Sequence, residues 1–173
     1  MTYDVILTNG AAGGVTVTAT TMYYSLGASR NDLDESNAQT KINASLTLSN
    51  LLVRIITNTE ASASTVVLRK GGVNQNLTVS IPAGQTGEFE DTTHSDSVAN
   101  GDLVNWMFTI PTASALTWSI ISIVCAHTSA YTHPIGNYFN ASATNSTIWG
   151  ALRGSGADTS VEANRAYRTR TKG

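Results

Sequence analysis

Three histidines, twelve carboxylates and one cysteine are the residues of this 173-residue chain that carry acid–base, metal or nucleophilic chemistry, and their spacing limits what they can do. His127 and His133 stand six positions apart on a loop-like stretch with no carboxylate or cysteine pair nearby. A zinc site needs three or four converging ligands, so the pair predicts no metal centre. Two acidic runs, Asn31-Asp32-Leu33-Asp34-Glu35 and Glu88-Phe89-Glu90-Asp91, offer oxygen ligands. Neither has the glycine and closing glutamate of an EF-hand loop, and they read as solvated loops before a loosely held calcium site. Gly154-Ser155-Gly156 lacks the flanking pattern of a strained nucleophile elbow. With 18 serines a Ser/His/Asp grouping can be drawn anywhere, so its presence proves nothing. No segment points to a pair of glycosidase carboxylates. Cys125, inside an apolar run, reads as a small buried hydrophobe. The expectation is a protein that is not an enzyme and uses no cofactor.

Tryptophan faces stack on pyranose rings, so Trp106, Trp118 and Trp149 raise a sugar-binding reading. Trp106 and Trp118 alternate with polar neighbours in core-like runs and read as packing. Trp149 stands in a polar stretch and is the best contact residue, for a subunit interface before a sugar. Four Asn-x-Ser/Thr triplets, at Asn43, Asn76, Asn140 and Asn145, are expected by chance where 43 residues carry a small hydroxyl.

The elements that must position these side chains are strands. Leu77, Val79 and Ile81 alternate with Asn76, Thr78 and Ser80, the period of a strand with one face in a core and one in water. Val104, Trp106, Phe108 and Ile110 repeat the pattern. Leu116, Trp118, Ile120 and Val124 do so again, with Ile121 and Ile123 making that strand apolar on both sides. Leu51 to Ile56 likewise predicts a strand covered on both faces. Val66 and Leu68 mark a shorter one, and Val5 to Thr8 and Val15 to Tyr24 hold the Thr, Val and Tyr that suit a pleated surface. Asn9-Gly10, Gly13-Gly14, Gly71-Gly72, Pro82-Ala83-Gly84 and Asn100-Gly101 punctuate these runs as turns. Only Ala28 to Gln39 departs from the pattern, as a loop or single turn with a cap near Asn31-Asp32. Strands every ten residues or so predict an all-β fold: an antiparallel β-sandwich of jelly-roll type over residues 1–127, followed by a C-terminal extended segment, 128–173.

Composition excludes several classes. The net charge is −2, from ten basic and twelve acidic residues, so no basic face of the kind that grips nucleic acid is expected. Hydrophobic residues at 41% argue against disorder. The longest apolar run, Ile120 to Ala126, is too short to cross a bilayer, so no membrane partner is expected. Asp4 and Asn9 interrupt any apolar signal segment at the start. A lone cysteine leaves no internal disulfide.

The run Ser64 to Val73, then Leu77-Thr78-Val79-Ser80-Ile81-Pro82-Ala83-Gly84, then Gly87-Glu88-Phe89-Glu90-Asp91-Thr92-Thr93, then Val98 to Val104, resembles small jelly-roll domains in structural proteins of tailed bacteriophages. Leu48-Ser49-Asn50-Leu51-Leu52-Val53-Arg54 belongs to the same succession, and the match covers residues 35 to 125. These domains include capsid decoration (cement) proteins and some tail or fibre proteins. The resemblance implies a virion protein on the capsid exterior, trimeric, with the major capsid protein as partner, that stabilises a shell by bridging capsomers. The alternative is a carbohydrate- or receptor-binding module of a tail fibre or spike.

Beyond His127 the chain turns polar, with large anchors at Tyr131, Tyr138, Phe139, Ile148, Trp149 and Leu152. Ile148 to Leu152 followed by Asp158 to Asn164 echoes Tyr23 to Leu26 followed by Asp34 to Ala38. The echo is either the start of a second, incomplete copy or coincidence. Arg153, Arg165, Arg168, Arg170 and Lys172 hold five of the ten positive charges in the last 21 residues. They form either a solvated arm or a segment that docks on an acidic neighbour. The residues expected to make assembly contacts are Tyr131, Tyr138, Phe139, Trp149, Arg153, Arg165, Arg168 and Arg170.

Overall fold

The computed structural model describes residues 3–27 and 31–127. Ten strands and one helical turn follow in the order β1 (Tyr3–Thr16), β2 (Thr21–Tyr24), β3 (Asn31–Asp32), α1 (Glu35–Ala38), β4 (Thr40–Lys41), β5 (Leu46–Asn58), β6 (Ser64–Lys70), β7 (Val73–Ile81), β8 (Gly87–Val98), β9 (Leu103–Thr109) and β10 (Leu116–His127). One sheet has the order β1-β10-β5-β8 and the other β3-β2-β9-β6-β7, with β4 added to β9. Every pairing is antiparallel. The pairs nest: β1 with β10, β2 with β9, β5 with β8, β6 with β7. A long hairpin rolled across two layers produces that nesting, and it is the jelly roll expected from the alternation.

Between the layers lie Trp106, Trp118, Tyr24 and Phe108, all fully buried. Tyr24 meets Phe108 edge-on at 5.0 Å and Trp118 at 5.3 Å, while Phe108 and Trp118 stack at 5.9 Å. Such offset and edge-on pairs add to the area that the rings bury. The packing reading of Trp106 and Trp118 holds. The β6–β7 hairpin closes through Gly71 and Gly72, both at positive φ (56° and 82°), a two-residue turn whose twist matches the strands it joins.

Three local expectations need correction. Strand β10 does not keep Leu116, Trp118, Ile120 and Val124 on one face. Ser119 is an extra residue against β5, between the Trp118–Ile55 and Ile120–Arg54 pairs. The phase therefore flips: Leu116, Trp118, Ile121, Ile123 and Cys125 point inward, whereas Ile120 and Val124 are only half-buried. Strand β5 changes phase too, at Asn50, which adopts φ 51° and sits where the register with both neighbours slips. Its outer face is open, with Arg54 and Ile56 exposed, because among the described residues no third layer covers this sheet. The single turn expected between Ala28 and Gln39 is present as α1, but its cap is Asp34 and not Asn31-Asp32, and Asp34 accepts from the Ser36 N–H at 2.9 Å. Tyr3 is the register partner of His127, so the first and last strands of the sandwich end side by side.

Candidate functional site

The densest polar chemistry among the described residues lies at the flank where edge strand β7 of one sheet meets edge strand β8 of the other. Between Val67–Thr78 and Arg69–Asn74 the β6–β7 register slips, and the intervening N–H groups of β7 turn toward β8. Asp96 meets them: Oδ1 accepts from the backbone N–H of Asn76 at 3.1 Å and its side-chain amide at 2.8 Å, and Oδ2 from the Leu77 N–H at 2.8 Å. Asp91 Oδ2 accepts from the Thr78 N–H at 3.0 Å.

The other oxygen of Asp91 organises its own strand. Strand β8 carries extra residues between the Leu51–Asp91 and Ser49–Ser95 pairs. Within that bulge Asp91 Oδ1 accepts from the Thr93 N–H (3.1 Å), the Thr93 hydroxyl (3.0 Å) and the His94 N–H (3.1 Å). The His94 ring lies 2.9 Å from Oδ2 through Nδ1. A side-chain turn forms at Asp91-Thr92-Thr93, and the same carboxylate also ties the two sheets together. Burial alone would push its pKa up. The Thr78 N–H, the His94 ring and the His94 and Thr93 N–H groups outweigh that and hold the carboxyl well below the usual carboxylate range.

Over this seam runs an open groove of about 460 Å³, lined by Thr78 and Ser80 on β7 and by Glu88 to His94 on β8. Asp91 is buried at its floor. Glu88, Glu90, Thr92, Thr93 and His94 stand exposed on its walls, and the half-buried Phe89 packs against the core beneath them. The acidic run that reads as a solvated loop is therefore one wall of a concave strand edge. A second groove, of about 400 Å³, lies at one end of the sandwich between Ser45 to Thr47, Lys70, Ser97 to Ala99, Asp102 and Ala126. Lys70 crosses it to the Ser97 carbonyl at 3.1 Å.

The other acidic run is occupied structurally. Glu35 on α1 takes two hydrogen bonds from Arg69, at 2.9 and 2.8 Å, and that carboxylate raises the guanidinium pKa further. Arg69 also donates to Asn74 at 2.6 Å and to the Gly72 carbonyl, and it lies over the Tyr23 ring. Beneath this clamp Asn105 is fully buried, although its alternation predicts a solvent-facing residue. Its neighbours are Arg69, its partner on β6, and β4, which pairs with β9 at Val104.

Cys125 is buried, and burial pushes its thiol up to about 11, as a small core hydrophobe requires. Among the described residues no three His, Cys, Asp or Glu side chains gather into a group that would hold a metal ion. Tyr131, Tyr138, Phe139, Trp149, Arg153, Arg165, Arg168, Arg170 and His133 lie outside the described residues, as does the second half of the internal echo, 148–164.

No family model and no curated protein matches the chain. A solved structure, the CBM36-1 domain of a multidomain xylanase from the hindgut metagenome of Trinervitermes trinervoides, is similar at 9% identity, over 74% of this chain and all of that domain, with a TM-score of 0.41. A likeness that loose carries no argument about function. The strand order alone establishes the sandwich.

Proposed function

We propose that this jelly roll is a non-catalytic carbohydrate- or receptor-binding module, borne on a virion as its resemblance to tailed-phage domains implies, and that it holds a glycan in the β7–β8 groove. The observation that carries the reading is the groove's lining. Sugar hydroxyls both donate and accept, and the walls offer carboxylates that accept (Glu88, Glu90), hydroxyls that do either (Ser80, Thr92), hydroxyls that accept while donating to the Val66 carbonyl and to Asp91 (Thr78, Thr93) and an imidazole. The wall is pre-organised, because Asp91 and Asp96 fix both strands from below, so little ordering opposes binding.

Retention on immobilised polysaccharides, followed by calorimetry with the retained glycan, tests the reading. Glu88→Ala/Glu90→Ala is expected to weaken binding about tenfold or more, the loss of roughly 1.4 kcal/mol, without changing the melting temperature. Failure to retain any polysaccharide, or a double variant that binds like the parent, overturns it.

The second reading is the decoration protein on a capsid exterior, with the major capsid protein as partner. The resemblance over residues 35 to 125 favours it, as do the low charge and hydroxyl-rich exterior, which suit many modest contacts over a broad surface. Binding to the assembled lattice and not to free subunits would raise shell stability by mass action. Co-sedimentation with emptied capsids, read together with shell melting, separates the two readings.

A further inference from the structure

The groove over the β7–β8 seam has a hydrogen-bonding polarity that its residue types conceal. A hydroxyl both donates and accepts, but it has one proton to give. Thr78 gives that proton to the Val66 carbonyl at 3.2 Å, and Thr93 gives it to Asp91 Oδ1 at 3.0 Å. Both hydroxyl oxygens therefore meet a ligand with lone pairs alone. His94 is set the same way. Its Nδ1 lies 3.0 Å from Oδ1 and 2.9 Å from Oδ2 of Asp91, a carboxyl held well below the usual carboxylate range and so without a proton to offer. In the neutral ring the single proton therefore sits on Nδ1, and Nε2 is left bare on a side chain that is 54% exposed. Glu88 and Glu90 also only accept, so among the wall side chains Ser80 and Thr92 alone keep a proton to give. No lysine or arginine lines the groove, and Arg54, in register with Glu88, stands on β5.

We infer that this groove selects donors, and that its ligand is a glycan bearing free amines, 2-amino-sugar units in their ammonium form. The inference rests on the glycan reading and narrows it. An ammonium has three donors and no acceptor, so it meets these oxygens and the bare ring nitrogen with no lone pair opposed. Its hydrogen bonds to Glu88 or Glu90 are charge-assisted, stronger than those from a neutral hydroxyl. A uronate or a sulfated sugar brings acceptors and negative charge to acceptors and negative charge. N-acetylation removes the ammonium charge and leaves one donor of three. A lysine-rich peptide shares the charge, but lacks the ring hydroxyls that Ser80 and Thr92 complement in both directions.

Calorimetry of the full chain at neutral pH with hexamers of glucosamine, N-acetylglucosamine and galacturonate tests it. The glucosamine hexamer is expected to bind about tenfold or more tighter than the acetylated one, and the galacturonate hexamer not to bind. Glu88→Gln/Glu90→Gln, which keeps the side-chain shape and removes the charge, is expected to shrink that preference to within about twofold. Nitrogen-15 spectra are expected to show the proton of the neutral His94 ring on Nδ1. Acetylated or galacturonate binding as tight as that of the glucosamine hexamer overturns this inference and leaves the glycan reading standing. Failure to bind the glucosamine hexamer overturns it too, and retention of no polysaccharide overturns both. Hexalysine that binds as tightly as the glucosamine hexamer, a ring proton on Nε2, or a preference unmoved in the glutamine variant also overturns it. So does a gain in affinity in Arg165→Gln/Arg168→Gln/Arg170→Gln, since the chain's own basic segment would then be the occupant.

Discussion

Asp91 and Asp96 illustrate how two residues can replace a strand–strand ladder. Each buried carboxylate accepts several hydrogen bonds, and the donors on β7 include the backbone N–H groups of Asn76 and Leu77, where the register with β6 slips, and of Thr78 beside them. Asp91 stays charged in the fold, and its folded-state pKa lies below the unfolded value of about 4. Its contribution to stability is therefore complete above that value and drains away as pH falls toward the folded pKa. Asp91→Asn keeps one acceptor oxygen and loses the charge. We expect it to cost about 1–3 kcal/mol at neutral pH. It should also give an acid limb shallower than the parent's, because the group that titrates is gone. Urea unfolding at a series of pH values checks both, and equal acid limbs would count against the assignment.

At the scale of elements, α1 is one turn long and cannot persist on its own propensity. Its attachment is the Glu35–Arg69 pair, whose side chains are 17% and 16% exposed, together with Ala38 packed beneath. Glu35→Ala should therefore speed amide exchange across residues 31–41 several-fold, about 1 kcal/mol of local stability, and leave the global midpoint nearly unchanged. Protection lost throughout the sandwich would contradict this. Alternation made β7 and β9 legible from the chain alone, since Leu77, Val79, Ile81, Val104, Trp106 and Phe108 all point inward as their spacing says. It failed in β10, because the Ser119 bulge shifts the phase without any mark in composition. Asn50 is a partial exception, as asparagine tolerates the left-handed conformation that it adopts. The seam was legible only as an acidic run ending at Asp91. Its reach to Thr78, and that of Asp96 to Asn76 and Leu77, answer backbone donors, which no side-chain pattern advertises. A hint existed: Asp91 and Asp96, five apart, can face the same neighbour only if a bulge lies between them. Asn105 misled for the complementary reason, since its neighbours come from distant strands, Arg69 on β6 and β4 beside Val104.

For the molecule as a whole, nested pairing joins the first strand to the last and the second to the next-to-last. Nearly all its ladders close long loops before any contact rewards them, so we expect refolding in the range of about milliseconds to seconds, as for other sandwiches. Stopped-flow fluorescence of the fully buried Trp106 and Trp118 reads it directly. Microsecond refolding would mean that local structure forms first. The same nesting sets how the domain meets a mechanical load. Because Tyr3 and His127 are register partners, a pull applied through the two ends of the sandwich peels β1 from β10 like a zipper, one bond after another, instead of shearing the whole ladder at once. Tension transmitted along the chain would open this domain at low force from one corner, while the carboxylate seam on the opposite flank stayed shut.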